Sequence, residues 1–365
     1  MIPIAKPLIG DEEKKRVMEV LDTGMISIGK VVEEFEAKFA EFTGSKYAVA
    51  TSSGTTALHM ALEAAGIGEG DKVVTVPFSF IATSNSILYS RATPVFCDIE
   101  EETFNIDPGK LEALVKKDRK IKAVLIVHLY GHPCNMDAIN EIVKKYNLLL
   151  IEDCAQAHGC YYDDIHVGNF GLAGTFSFYP TKNMTTAEGG LVTTNSELIY
   201  RNLRLLREHG MPKTGEYDFK LLGYNYRMTN IEAAIGLAQL EKLEGFNKKR
   251  AENAKFFDEH LKNLDWLVLP VVKEKAVHCY HQYTLKVEDR NNFTNHLKEN
   301  GIGFKVYYPS VLPDSQFYKD MGYSGENYPV SKRMTQQVVS IPVHPGVSDK
   351  DREQIVEVIK KFQRQ

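Results

Sequence analysis

A single lysine and a single aspartate carry the most specific chemistry in this sequence. Lys182 follows the strand-like run 175–178 and a break at Pro180, and it precedes Glu188, Gly189, Gly190 and the β-rich run 191–194. A lone lysine just past a buried strand is a Schiff-base candidate, because burial lowers an ammonium's pKa and frees the neutral amine as a nucleophile. A solvated loop lysine is the alternative reading of the same residue. Asp153 follows the apolar run Leu148, Leu149, Leu150, Ile151 and then Glu152, a stretch that reads as a buried parallel strand ending in an acid. Open α/β sheets place ligands at the carboxyl ends of their strands. An acid there can pair with a protonated pyridine nitrogen, the partner that pyridoxal phosphate needs to act as an electron sink. It can also simply cap the next turn.

A third feature is the turn Ser52, Ser53, Gly54, Thr55, Thr56, which joins a short strand at 47–51 to a helix running through Ala65. Small hydroxyl residues and a glycine at a helix start leave backbone N–H groups free, and the helix dipole adds positive potential, so a phosphate would fit. Plain N-capping by Ser53 or Thr55 uses the same physics without a ligand. The nearby Gly66, Gly68 and Gly70 follow a helix and not a strand, which excludes a dinucleotide loop. Phe80, just past the strand 72–77, could stack on a planar cofactor or belong to the core.

The elements that position these residues alternate. Strands at 47–51, 72–77, 93–97, 122–128 and 148–152 are separated by helices, including 108–117 and 135–146. Such alternation implies βαβ units and a mainly parallel sheet. After Thr194 the pattern changes to a helix at 196–209, an irregular polar stretch at 210–223 and a long helical tract at 231–264. Two domains are expected: a large α/β domain over 1–245, with N-terminal helices at 10–21 and 31–43, and a small α+β domain over 246–365. The second part reads as strands at 280–287, 304–308 and 338–341 with helices at 291–300 and 350–363.

Composition narrows the function classes. The chain has 365 residues, 43% apolar and 25% charged, as in ordinary globular proteins. A net charge of −4 with interspersed signs gives no basic footprint for nucleic acid. Five scattered cysteines without a CxxC pair suggest reduced thiols and a cytoplasmic setting. The tract His278, Cys279, Tyr280, His281 lacks further ligands at zinc-site spacing and reads as strand sequence, so no metal is expected. The N-terminus lacks a signal-peptide pattern, and no run approaches the ~18–20 apolar residues of a membrane helix.

Taken together these residues resemble the DegT/DnrJ/EryC1/StrS family of nucleotide-sugar aminotransferases, which are fold type I, pyridoxal-phosphate-dependent enzymes of the aspartate aminotransferase superfamily. The resemblance covers nearly the whole chain. It rests on Ser53 to Leu58, Pro77 to Thr83, Glu152, Asp153 and Gln156, Ser177 to Lys182, Glu188 to Gly190, Arg207 to Gly210, Gly223 to Met228, and Ile341 to His344. It implies that Lys182 forms the Schiff base to the cofactor and that Asp153 keeps the ring nitrogen protonated. Gln156 would lie near the ring's phenolic oxygen and Phe80 would stack on one ring face. Gly54, Thr55 and Ser177 would bind the phosphate. Asn225 matches a residue that reaches the neighbouring subunit's cofactor, which implies a homodimer with shared sites. His158 would lie near the cofactor without an assigned role.

The implied reaction moves an amino group from L-glutamate to a keto-sugar of a UDP- or dTDP-linked nucleotide, with pyridoxamine phosphate as the intermediate cofactor form, in amino-sugar or surface-polysaccharide biosynthesis. Arg227 and Tyr308 are candidate contacts to the diphosphate or sugar. Substrate choice is expected from the segments 25–30, 210–223 and 305–313. Relatives with histidine in place of the lysine catalyse dehydration, and Lys182 argues against that branch. A regulatory protein on the same fold would be expected to carry a basic appendage, and none is present.

Overall fold

The computed structural model describes residues 1–212 and 217–363. The chain opens with two amphipathic helices, α1 (Asp11–Thr23) and α2 (Lys30–Thr43). Then come β1 (Tyr47–Thr51), α3 (Gly54–Ala64), β2 (Lys72–Thr75), α4 (Ile81–Tyr89), β3 (Thr93–Phe96), α5 (Pro108–Lys117), β4 (Ile121–Val127), α6 (Met136–Tyr146) and β5 (Leu149–Asp153). A short hairpin, β6 (Tyr161–Tyr162) and β7 (Ile165–His166), precedes β8 (Ala173–Ser177), β9 (Gly190–Thr194) and α7 (Glu197–Arg207). The long helix α8 (Asn230–Leu261) leads to β10 (Leu267–Val268), β11 (Ala276–Val277), β12 (Tyr283–Val287) and α9 (Arg290–Glu299). The chain finishes with α10 (Gln316–Asp320), α11 (Pro329–Gln337), β13 (Val338–Ile341) and α12 (Asp349–Lys360).

Seven strands form the central sheet in the order β1-β9-β8-β5-β4-β2-β3. Strands β8, β5, β4, β2 and β3 pair in parallel, and β9 runs against both of its neighbours, β1 and β8. The central strands are covered on both faces, which is why β4 (Ile-Lys-Ala-Val-Leu-Ile-Val) reads as a nearly unbroken apolar run. β5 and β8 lie side by side, so Asp153 and Thr175 are register partners, and the residues after both strands emerge at one edge of the sheet. That edge is the carboxyl end, where an open parallel sheet offers its crevice.

A second core gathers Ala254, Phe257 and Leu261 of α8 with β12, β13, α12 and Ile2 of the N-terminus. Helix α8 runs unbroken through residue 245, and its first half packs Ala233, Leu237 and Leu243 on the core under β8. The strand β11 pairs with β6, tying the segment after β10 to the loop beyond Asp153.

The structure corrects several sequence expectations. Residues 304–308 are not a strand; only isolated bridges join Ile302 to Ile2 and Lys305 to Ser340. The strand expected at 280–287 begins at Tyr283, because Tyr280 has φ +47 and breaks the extended run. Helix α11 was not expected, although Pro329 at its first turn is a helix-start signal. The hairpin β6–β7 turns through Asp163 and Asp164, both at positive φ, as a tight hairpin turn requires.

Candidate active site

Asp153 is 4% exposed at the end of β5. Its carboxylate accepts from Thr83 Oγ1 at 2.8 Å and from the Ala155 backbone N–H at 3.1 Å. Burial raises its pKa, and Thr83, Ala155, Lys182 and His128 oppose the rise. A carboxylate of raised proton affinity, held by two donors, suits a partner that must keep a proton on a facing nitrogen. Thr83 lies in the first turn of α4, and Ser79 Oγ bonds it in turn at 2.9 Å. Sequence reading missed this role, because a threonine one turn into a helix carries no signal for a carboxylate 70 positions away.

The preceding residue, Glu152, points to the other face. Its two oxygens accept from the N–H groups of Gly168, Phe170 and Gly171 at 2.7–2.8 Å, and from His128 Nε2 at 3.0 Å. His128 Nδ1 accepts from the Cys134 N–H at 3.0 Å, which fixes the tautomer. His128, Glu152 and Cys154 stand within 4.8 Å of one another. The hydrogen bonds already account for the histidine and the carboxylate, so this group reads as a loop anchor for the 168–171 segment.

Lys182 sits on a turn after β8 that is closed by its own N–H to Tyr179 O at 2.8 Å. Burial lowers its amine from 10.5 to about 8, against the pull of Asp153. The two side chains therefore lie within reach of each other's charge. At pH 7 about a tenth of such an amine is neutral, roughly 300-fold more than for an ordinary lysine.

The start of α3 completes a cradle. Ser53 caps the helix by accepting from the Thr56 N–H at 3.1 Å, so the capping reading holds for Ser53. The cap leaves the N–H groups of Gly54 and Thr55 without a protein partner among the described residues. A Cβ on Gly54 would lie 2.6 Å from Ser177 Cβ, so this glycine allows the helix start to touch the end of β8. Gly54 and Ser177 thus meet at one corner, with the unpaired amides of the helix start beside it, where a phosphate would fit.

Around this corner, Phe80 is the N-cap residue of α4 and is 59% exposed. Gln156 is buried, its Oε1 accepting from the Tyr130 N–H at 2.8 Å and its Nε2 donating to Tyr308 Oη at 3.1 Å. Tyr308 also packs edge-on against Phe78, with ring centroids 5.9 Å apart. It is half-buried, and its hydroxyl ties it to Gln156. Arg227 is engaged with Glu208 at 2.8 Å. Asn225 is exposed and bridges Glu208 through its backbone, and the next residue's carbonyl accepts from the Ser52 N–H at 2.9 Å. No hydrogen bond among the described residues uses its side chain.

His158 is fully buried between Phe176 and Phe178, at ring-centroid distances of 5.5 and 5.6 Å, and neither ring nitrogen has a hydrogen-bond partner. Burial first, then the Lys182 charge, lowers its pKa to about 3. Of the three segments expected to choose the substrate, 210–223 is described except for residues 213–216, which lie outside the described residues.

A neutral-capable lysine and a buried carboxylate act on each other's charge, and the start of α3 offers unpaired amides beside the end of β8. A pyridine ring with an aldehyde and a phosphate matches that donor set. The model of the DegT/DnrJ/EryC1/StrS aminotransferase family matches residues 7–360. The chain belongs to this family.

Among the relatives of this DegT/DnrJ/EryC1/StrS member is GDP-perosamine synthase of Escherichia coli O157:H7, 39% identical, with 99% of this chain and 98% of the relative covered. The dTDP-3-amino-3,6-dideoxy-alpha-D-galactopyranose transaminase of Aneurinibacillus thermoaerophilus is 37% identical over 96% of this chain and 95% of that protein. Among solved structures, S. venezuelae DesV in complex with a ketimine intermediate superposes with a TM-score of 0.93 at 31% identity, covering 96% of this chain and 94% of that one. The family is pyridoxal-phosphate-dependent, and this chain is accordingly a pyridoxal-phosphate-dependent aminotransferase related to the sugar aminotransferases. Among the described residues no helix is long and apolar enough to cross a membrane.

Proposed function

We propose that the protein transfers an amino group from L-glutamate to a keto-sugar carried on a nucleoside diphosphate. The juxtaposition of Lys182 and Asp153 at the carboxyl ends of adjacent strands carries this reading. The relatives named for GDP- and dTDP-linked amino sugars support the substrate class. They also add guanosine to the uridine and thymidine expected from the sequence.

Pyridoxal phosphate, when bound, supplies an aldehyde for the amine and a protonated ring that accepts the electron pair of the broken C–H bond. Lys182 is the nucleophile in the resting protein. Freed from the cofactor, its amine would be the base that moves the proton. Asp153 holds a proton at the facing ring nitrogen, and Thr83 and the Ala155 N–H fix its orientation. Gly54, Thr55 and Ser177 would hold the phosphate through backbone amides and a hydroxyl. Phe80 would cover one face of the ring, and Gln156, fixed by Tyr130 and Tyr308, would stand at its edge.

We further propose a homodimer in which the exposed Asn225 serves the neighbour's cofactor. A panel of UDP-, dTDP- and GDP-linked 3- and 4-keto-sugars, assayed with glutamate for 2-oxoglutarate release, tests the function. One member should be turned over with stoichiometric 2-oxoglutarate. Sugar dehydration without 2-oxoglutarate, or no glutamate half-reaction at all, would refute it.

A further inference from the structure

Immediately after the reactive lysine stands an asparagine that is only 3% exposed. Asn183 Nδ2 donates to Asn247 Oδ1 at 2.8 Å and to the Cys279 carbonyl at 3.0 Å. A backbone carbonyl only accepts, so the amide orientation is determined, and Oδ1 faces His281 Nδ1 at 3.1 Å. His281 therefore carries its proton on Nδ1. Its Nε2 is left to accept, and Gln282 Nε2 lies 3.4 Å away. On the other side Asn247 Oδ1 is taken by Asn183, so its Nδ2 donates to the His158 carbonyl at 2.8 Å. Donors face acceptors at each of these contacts, and reversing the Asn183 amide would set like against like.

The relay joins four parts of the fold: the turn after β8, helix α8, the 279–282 segment and the loop beyond Asp153. Its surroundings are tightly packed. A Cβ on Gly159 would come within 2.4 Å of Asn247 Nδ2, and one on Gly131 within 2.6 Å of Cys279 Sγ; both glycines also have positive φ. The charged and titratable groups acting on His281 are Lys182, Arg250, His158 and His278. Burial and those neighbours all hold the imidazole neutral, so the relay keeps one polarity across the working pH range.

We propose that Asn183 is a positioning residue for Lys182, and that His281 and Asn247 hold it in place so that the reactive amine is presented at a fixed depth in the pocket. The inference rests on the reading of Lys182 as the cofactor-linked amine. The turn carrying Lys182 is fixed on one side by its own bond to Tyr179 O and on the other by Asn183. Thr185 and Thr186 still hold the chain to Phe178 O, so loss of the Asn183 bonds loosens the turn locally at Lys182, admits water to the amine and relieves the burial that lowers its pKa.

The test compares Asn183→Ala, His281→Phe, His281→Asn and Lys182→Ala. An asparagine at 281 retains a donor where Nδ1 stood; phenylalanine fills the space without one. Two readouts are taken: the pH midpoint for acylation of Lys182 in the cofactor-free protein, followed by mass spectrometry of its peptide, and the dissociation constant of pyridoxal phosphate. Asn183→Ala and His281→Phe should move the midpoint up from about 8 by about one pH unit and weaken cofactor binding about tenfold, with His281→Asn restoring most of both. A midpoint that stays at about 8 in Asn183→Ala overturns the proposal. Should Asn183→Ala not fold, equal midpoints in His281→Phe and His281→Asn overturn it as well. The reading of Lys182 fails separately, if Lys182→Ala still forms the covalent cofactor linkage.

Discussion

Replacing Lys182 by methionine in the cofactor-free protein removes a cation that the fold holds at a cost. Burial lowers the amine from 10.5 to about 8. Between those values the folded state has released a proton that the unfolded chain still binds, so stability rises with pH across that window. Below about pH 8 the amine is charged in both states and the full penalty is present. From 10.5 down to about 8 is a gap of about 2.5 pH units, which at about 1.36 kcal/mol each gives an upper bound of about 3.4 kcal/mol. In the variant Asp153 loses a neighbour that opposes its own raised pKa, and water reaches part of the lysine stem, so about 2 kcal/mol is expected at pH 7. Urea unfolding of both apoproteins, at one protein concentration and at pH 7, 8, 9 and 10, measures it. The variant should be the more stable at pH 7, and the difference should shrink towards pH 10. Parallel pH profiles, or a wild type that is more stable at pH 7, would refute the buried-amine argument.

Glu152→Gln places an amide N–H₂ against backbone donors from the 168–171 segment and should cost about 3 kcal/mol in urea unfolding of the apoprotein. Gly54→Ala forces a methyl group to 2.6 Å from Ser177 Cβ, and equilibrium dialysis should show cofactor affinity about tenfold weaker while Lys182 remains reactive. Mixing Asn225→Ala with Lys182→Ala subunits should recover part of the activity that each lacks, if Asn225 serves the neighbour's site. No recovery with hybrid formation confirmed would exclude sharing.

The sheet strands were legible because β2, β4, β5 and β8 are buried runs punctuated by polar turns, and burial on both faces leaves its mark residue by residue. Asp153 stood out because it ends such a run, and Lys182 because it follows one across the break at Pro180. Residues 304–308 misled because Phe304, Val306, Tyr307 and Tyr308 look like strand sequence, yet Val306, Tyr307 and Tyr308 pack on the large core and Phe304 on the second, as an irregular segment fixed by Tyr130, Gln156 and Ser340. Thr83 and the Asn183 relay were invisible for a related reason. Their partners lie far away along the chain, and an asparagine or histidine carries no local sign of the tautomer or amide orientation that its neighbours impose. Tyr308's contacts to Phe78 and Gln156 are likewise long-range and carry no local sign in the sequence.

Borohydride reduction of the pyridoxal-phosphate-loaded protein, followed by proteolysis and mass spectrometry, is the most direct check of where the cofactor is attached. The pyridoxyl mass should appear on the peptide containing Lys182 and on no other. Attachment to a different lysine, or no adduct while the cofactor is bound, would contradict the account.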